Sequence, residues 1–426
     1  MSLKNTGLAE GLLLKLFAAG CALFATLHVN AAGLSLEQAE ALALRQDPLL
    51  LEVESRRTAM EEMAVASEQL PDPMLRMGFM SLPTDTWNFG QEPMTQAVIG
   101  VTQKFPRGNT RALRAEQIVE QAGALDETLQ DQRLRIALAV REDYLEVLKQ
   151  LKLAEINVEA IQAFSDLADI TQDYYATGRV QQQDVLRAAV ELAKVQDRAT
   201  RIAQEEDRAR ARLETWIGPD AWLELESEWP DLGPPPALDE LRERLAGHPR
   251  IVTLQKQADA ADTGIELAQQ RYKPEFGVDL AYGARGGNNP DGSSRADLFS
   301  VMLTMDLPLF HANRQDRYKA AAVSESSAAL FSRDDTYRRM SSEAGLHAAT
   351  LKRQFERKKL FEESLLPDAE FNAEAAFSAY QAALDSLTTL MRARITEYEL
   401  QLEYAGLLAE LLKTQARLHY FEGDTP

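Results

Sequence analysis

One proline-free stretch of about seventy residues, from Arg107 to Thr177, constrains this chain more than any other feature. Apolar residues recur along it every three or four positions, for example Ile118, Val140 and Phe164, with polar residues between them. That period is typical of an amphipathic helix. At about 1.5 Å per residue the helix would be roughly 100 Å long, which no globular domain accommodates. Because charges crowd its centre, it is not a membrane span. The sequence predicts a water-exposed helical rod.

Composition narrows the classes of function. The 426 residues are 45% hydrophobic and 26% charged, with a formal net charge of −20, so we expect an ordered, helix-rich protein that does not bind nucleic acid. No nucleophile motif, phosphate-binding loop or paired carboxylate signature is present, so neither an enzyme nor a cofactor is predicted. The five histidines are scattered, and the methionines of 74–80 alternate between faces, so no metal site is predicted.

The first 31 residues have the pattern of a secretory signal peptide. Lys4 and Lys15 precede an apolar run, and a small-residue cleavage site follows at Ala31. Cys21 is the only cysteine, and its flanking residues favour ordinary cleavage over lipidation. No later apolar run approaches 18 residues, so no transmembrane helix is predicted.

Two pairs of short segments have a period of two instead. The first pair covers about 74–82 and 96–105, and the second about 275–283 and 297–307. Such alternation predicts strands, and about ten residues can cross a bilayer as a tilted strand. One face is apolar. The other is small or polar and carries Gly78, Gly100, Thr102, Gly277, Asp279, Ala281, Gly283 and Thr304.

The chain contains an internal duplication. Pro48 corresponds to Pro249, Pro106 to Pro308 and Tyr175 to Tyr380, at offsets of 201, 202 and 205 residues. We therefore divide the chain into the signal peptide at 1–31, a first repeat at 32–216, a proline-rich connector at 217–237 and a second repeat at 238–426. The long helices are predicted at about 107–177 and 313–380, and the second is expected to bend or break before Pro367. Pro106 and Pro308 mark the strand-to-helix junctions, since proline ends a strand and suits the first turn of a helix.

Four strands cannot close a barrel, and an open sheet edge cannot lie in lipid. The chain must therefore form an oligomer with eight strands from two copies or 12 from three. The small, polar face favours an open, wet lumen, and hence a trimer. The strand hairpins place all rods on one side of the membrane, which we assign to the periplasm.

Three motifs carry a resemblance to a known family. They are "LPDP" at 70–73, "QKFPRGN" at 103–109 and "YYATGRVQQQDVL" at 174–186. With the duplicated strand–strand–long-helix plan they resemble the TolC family of outer-membrane efflux proteins, over essentially the whole mature chain. The stretch from 70 to 106 is most similar to the heavy-metal efflux branch. The resemblance implies a homotrimer with a 12-stranded barrel continuous with a 12-helix periplasmic tunnel. It also implies docking to a periplasmic adaptor and an inner-membrane pump of the resistance–nodulation–division type.

The resemblance also implies an aperture at the periplasmic tip of the tunnel. In the first repeat, Tyr175, Gly178 and Asp184 match the family's motif. In the second, Tyr380 matches, whereas Ala383 replaces the glycine. Basic and acidic residues of well-known members are replaced here by Asp385, Thr389 and Arg392. We expect Asp385 either to line the aperture or to be a solvated turn residue.

The sequence thus predicts a passive exit duct in the bacterial outer membrane that confers metal resistance by conducting heavy-metal cations. A drug or small-organic duct of the same family is the alternative. A periplasmic coiled-coil adaptor and a small-solute porin are less favoured.

Overall fold

A computed structural model describes residues 33–45 and 47–423 of the chain. The predicted signal peptide, including Cys21, lies outside the described residues. Within them the chain is mainly helical, as predicted, with one four-stranded sheet.

The helices of the first half begin at local capping signals. Ser35 and Gln38 form a capping box, in which the backbone N–H of each donates to the side-chain oxygen of the other at 3.2 Å. Asp47 caps the next helix by accepting the Leu49 N–H, and Pro48 occupies its first position. The elements are α1 Leu36–Arg45, α2 Pro48–Glu68, β1 Met74–Met80, β2 Gln96–Phe105, α3 Thr110–Ala176 and α4 Gln182–Ile217.

The second half repeats this order of elements. His248 takes the capping position of Asp47, because its side chain accepts the Arg250 N–H ahead of Pro249. The exact bounds of the two repeats stay a prediction. The elements are α5 Leu238–Arg244, α6 Pro249–Gln270, β3 Phe276–Arg285, β4 Leu298–Met305, α7 Gln315–Leu360, α8 Leu366–Gln381 and α9 Leu387–Tyr420.

The two long helices differ in continuity. Helix α3 is unbroken over 67 residues. Its counterpart was predicted to bend before Pro367, and there a π-helical turn, Phe361–Leu365, joins α7 to α8. Proline has no N–H for the carbonyl four residues earlier, so the chain widens by one residue before it.

The sheet is antiparallel throughout, in the order β1-β2-β3-β4. Four helices pack side by side in the matching order α2, α3, α6 and α7, because each of them adjoins one strand along the chain. Helices α4 and α9 run back along α3 and α8. The sheet and the helical layer are therefore one continuous wall that leaves β1 and β4 as its edge strands.

Three buried clusters hold the helices together. One surrounds the middle of α3 at Tyr144, whose hydroxyl donates to the Leu34 carbonyl oxygen at 2.8 Å. A second lies at the far end of the helices, around Phe164 and Tyr380. The third joins α5 and α7 to the end of α9.

Candidate functional site

The sheet exposes an apolar face. Phe79 is 71% exposed and Leu303 is 68% exposed, although both are large apolar side chains within strands. The register places most of the exposed apolar side chains of the four strands on one face. They include Leu75, Met77, Phe79, Ile99, Val101, Phe276, Leu280, Tyr282, Phe299, Val301 and Leu303. A contiguous apolar surface of this extent marks a contact with lipid or with another protein.

The opposite face is mostly small or polar, as predicted, although it also exposes Met74, Met80 and Met302. An ion pair lies across it. Arg76 of β1 reaches over β2 to Asp279 of β3, with its Nη2 at 3.0 Å from Oδ1. The Thr102 hydroxyl also donates to Asp279. The guanidinium crosses where β2 has Gly100, at which a Cβ would lie only 3.1 Å from the Cβ of Ala281. The absent side chain therefore leaves room for both the close strands and the ion pair.

The charge of this polar face is opposite in sign to that of the chain. Arg76, Lys104 and Arg285 lie on it, because they share the register face of Asp279. Asp279 is the single carboxylate that the described strands contribute. The face is thus net cationic in a chain of formal charge −20.

Pro106 follows β2 directly and Pro308 lies three residues after the end of β4, but neither proline lies in the first turn of a helix. Pro106 precedes the start of α3 at Thr110, and Pro308 precedes the start of α7 at Gln315 by a longer link. That part of the prediction is wrong. After Pro106, Gly108 adopts a φ of 45°, and this turn delays the helix. Arg107 then pairs with Asp306 and so ties the two junctions together.

The first predicted aperture motif forms the turn between α3 and α4. Gly178 has a φ of 73°, and its N–H donates to the Tyr175 carbonyl oxygen at 2.9 Å. The Tyr175 side chain is exposed, at 43%. The Asp184 carboxylate accepts the Gln181 N–H at 3.2 Å and helps to cap α4. Tyr175 therefore faces solvent at the end of the helices, whereas Asp184 has a structural bond.

The second motif forms the equivalent turn between α8 and α9. Tyr380 is only 5% exposed, and burial raises the pKa of its hydroxyl. Asp385 is exposed, and its carboxylate accepts the N–H of the next residue, Ser386, at 2.6 Å. Thr389 donates its N–H to the Ser386 hydroxyl at 3.3 Å, and Arg392 is exposed. The two tyrosines of the predicted aperture thus differ, one facing solvent and one packed inside.

The two turns lie side by side. The rings of Tyr174 and Tyr380 are 5.7 Å apart, and Arg187 of α4 donates to the hydroxyl of Thr388 on α9. The Arg179 guanidinium lies 5.4 Å from the centre of the Tyr174 ring. Sequence reasoning missed these contacts between the repeats, although Tyr174 and Arg179 belong to the motif that it identified.

The described part of the chain lacks two other features. None of its helices is both long and apolar enough to cross a membrane. It also contains no cluster of three His, Cys, Asp or Glu side chains that could hold a metal ion.

Comparison with known proteins identifies the fold. No family model and no curated protein sequence matches the chain. Among solved structures, it resembles the outer membrane protein VceC of Vibrio cholerae, with a TM-score of 0.77 and 16% identity over 91% of this chain and 96% of that one. It also resembles the outer-membrane channel OprN, with a TM-score of 0.76 and 18% identity over 91% of this chain and 89% of that one. A third similar structure is that of CusC, a protein that forms a transmembrane channel. Its TM-score is 0.74, with 12% identity over 93% of this chain and 95% of that one. At these identities the likeness establishes the fold of such channels.

Proposed function

We propose that this chain is the outer-membrane exit duct of a tripartite efflux pump, as its resemblance to the TolC family implies. The observation that carries the proposal is the two-faced sheet, which exposes a broad apolar surface and continues directly into a helix of 67 residues. Lipid covers the apolar face, and water fills the space inside the polar one. The helices then extend the same wall into the periplasm.

The proposed assembly is a homotrimer. In the described chain, β1 and β4 each pair on one side only, and an unpaired strand edge is untenable in lipid. Joining β4 of one copy to β1 of the next closes a barrel of 12 strands, and the helices close a tunnel below it. The partners would be a periplasmic adaptor, an inner-membrane pump of the resistance–nodulation–division type and outer-membrane lipid. The duct itself would carry out no chemistry, because the pump supplies the energy.

The cargo has two candidates. Heavy-metal cations are the first, because the stretch from 70 to 106 is most similar to the metal branch of the family. Small organic molecules, anionic ones above all, are the second, because Arg76, Lys104 and Arg285 make the polar face cationic.

A deletion strain tests the proposal. Loss of the gene should sensitise cells either to zinc, cobalt, cadmium, copper or silver, or to organic compounds, and plasmid-borne wild-type protein should restore growth. Sensitivity to organic compounds alone would remove the metal branch. No change for any compound would contradict the efflux function.

The competing periplasmic adaptor predicts a different location. An exit duct should be recovered from outer membranes only with detergent, as a trimer whose migration on electrophoresis changes when it is heated. Recovery in the soluble periplasmic fraction would instead support the adaptor.

A further inference from the structure

A cationic groove lies where the sheet meets the helices. It has a volume of about 580 Å³ and lies between the first turns of α3 and α7 and the end of α6. Two acidic residues, Glu275 and Glu325, also line it. Its four arginines are Arg107, Arg114, Arg271 and Arg314. Such a concentration of positive charge is unexpected in a chain of net charge −20 and calls for a ligand or a partner.

Two of these arginines are held in place by neighbours. Arg107 pairs with Asp306 and lies 3.9 Å from Glu275, between its Nε and the carboxylate Oε2. The Arg271 guanidinium lies 4.0 Å from the centre of the Tyr318 ring. This cation–π contact fixes the plane of the guanidinium but leaves its N–H groups free to donate to a ligand.

The other two arginines have no acidic partner. Among the described residues, no carboxylate forms an ion pair with the side chain of Arg114 or Arg314. Both side chains are exposed on the groove. They can therefore bind an oxyanion without first giving up an ion pair.

Gln315 supplies an independent sign of a ligand. It lines the groove and is only 3% exposed, yet its side-chain Oε1 is buried without a hydrogen-bond partner in the described structure. A buried acceptor without a donor is costly, so a donor from a bound molecule is expected. Gln315 is also the first residue of α7, a helix of 46 residues whose N-terminus favours negative charge.

The groove is continuous with the polar face of the sheet. Glu275 lines both the groove and a recess on that face, where Thr102, Lys104 and Thr304 are its neighbours. In the proposed duct, a molecule that passes along the polar face would therefore meet the groove.

We infer that this groove is a binding site for a phosphate monoester, with Arg114, Arg271 and Arg314 on the phosphate oxygens. Gln315 accepts a hydrogen bond from the acidic proton of the same ligand. The site itself follows from the chain alone, whereas its place in the wall of a duct rests on the proposed function.

Calorimetry on the full-length protein in detergent tests the site. At pH 6 and low ionic strength, where phosphate retains a proton, inorganic phosphate should bind more tightly than sulfate. The double variant Arg114→Gln/Arg314→Gln should bind phosphate at least about tenfold more weakly. The variant Arg201→Gln/Arg208→Gln, which loses the same charge on α4, should bind it normally. Gln315→Leu should lose the preference for phosphate over sulfate. Absent binding to the wild type, or equal binding to the groove variant, would overturn the inference.

Competition identifies the source of the ligand. Glycerol 1-phosphate, a soluble monoester, should displace phosphate, whereas phosphatidylglycerol, a phosphodiester without an acidic proton, should compete less well. Stronger competition by the lipid would replace a soluble ligand with a lipid headgroup and overturn the inference.

Conductance separates the site from the duct. In planar bilayers, glycerol 1-phosphate should reduce the current of the wild type and leave that of the groove variant unchanged. A wild type that binds phosphate by calorimetry but forms no channels would contradict the proposed function and leave the site intact. A wild type that forms channels but binds no phosphate would contradict the site and leave the proposed function intact.

Discussion

Gly178 and Ala383 occupy the same position in two equivalent turns. Their φ angles are 73° and 57°, and each N–H donates to the carbonyl oxygen of the tyrosine three residues earlier, at 2.9 Å and 3.0 Å. The next N–H in each turn, of Arg179 or Leu384, reaches back five residues, at 2.8 Å and 2.9 Å. These are the two hydrogen bonds of a Schellman motif. The second repeat therefore keeps the turn although it has lost the glycine.

Ala383→Gly should stabilise the protein. A non-glycine residue in the left-handed region costs about 1 kcal/mol, and glycine removes that strain at the expense of some unfolded-state entropy. We expect a net gain of up to about 1 kcal/mol in the free energy of unfolding, read as a higher midpoint of thermal unfolding by circular dichroism.

Gly178→Ala is the matched control. A Cβ at Gly178 would meet no atom within 4 Å, so the substitution changes backbone strain alone. It should lower the free energy of unfolding by about 1 kcal/mol. If Ala383→Gly lowered the free energy of unfolding, or if Gly178→Ala left it unchanged, the two turns would not be energetically equivalent.

The sequence was informative where a local period or cap decides the outcome. The apolar period predicted α3, alternation predicted the strands, and the offset between Tyr175 and Tyr380 predicted that Ala383 would occupy a glycine position. Each depends on residues close together in the chain, so propensity and burial act on the same segment.

Long-range relationships could not be predicted. The link between β1 and β2 is too long to fix the register, so no pattern predicted that Arg76 would reach across β2 to Asp279, which is 203 residues away in the sequence. The cationic groove also needs three helix ends to meet. The π-helical turn was signalled only as a bend at Pro367, because the sequence does not say how a helix absorbs a proline.

His248 should make stability depend on pH. It is fully buried, and burial lowers the pKa of its imidazole below 6.5. Its Nδ1 accepts the Arg250 N–H at 3.2 Å, and its Nε2 lies 2.9 Å from the Tyr420 carbonyl oxygen, so the neutral ring caps α6. The charged groups nearest to it are Asp131, Arg135 and Arg250.

Just below pH 6.5, His248 becomes protonated in the unfolded chain but stays neutral in the folded protein. The contribution of neutral His248 to the free energy of unfolding is therefore fully present above pH 6.5. It falls as the pH drops toward the folded pKa, by at most about 1.4 kcal/mol per pH unit. His248→Asn keeps a capping side chain without the titration and should flatten the decline measured by thermal unfolding between pH 7 and 5. Part of the slope should survive, because burial also lowers the pKa of His347. His311→Asn, at an exposed site, is the control, and an unchanged slope in His248→Asn would refute the assignment.

Lys413 should be costly to remove, because it joins α9 to α3 through the partly buried carboxylate of Glu146. Burial alone would raise the pKa of Glu146, but hydrogen bonds from Lys149 and Lys413 outweigh it and lower the pKa to about 2. Lys413→Met leaves only Lys149 beside Glu146, so the free energy of unfolding should fall by about 2–3 kcal/mol.

The dependence of stability on acidic pH tests the same pair, Glu146 and Lys413. Because the folded pKa of Glu146 lies below 4.5, its contribution is present above pH 4.5 and is lost as the pH falls toward 2. Glu146→Gln should reduce this decline in denaturant-unfolding curves. The double variant Glu146→Gln/Lys413→Met should be more stable than Lys413→Met alone, since it also removes the carboxylate that has lost one of its two cationic partners. A double variant that is less stable than both single variants would show that the pair is not coupled.

Asp385 should restrict the aperture of the proposed trimer. It is exposed at the end of the helices, beside the exposed Leu384, where three copies of the chain would converge. Among the residues that the structure describes, only the Ser386 N–H donates to it, at 2.6 Å, so the rest of the carboxylate is available to neighbouring copies and to ions. Asp385→Ala should therefore increase the single-channel conductance in planar bilayers, by at least about twofold if three side chains narrow the path.

Asp197→Ala is the control, because it removes a carboxylate that already pairs with Arg201 on α4 and should leave the conductance unchanged. Equal conductance in the wild type and Asp385→Ala would make Asp385 a solvated turn residue, and an equal rise in both variants would place the restriction elsewhere.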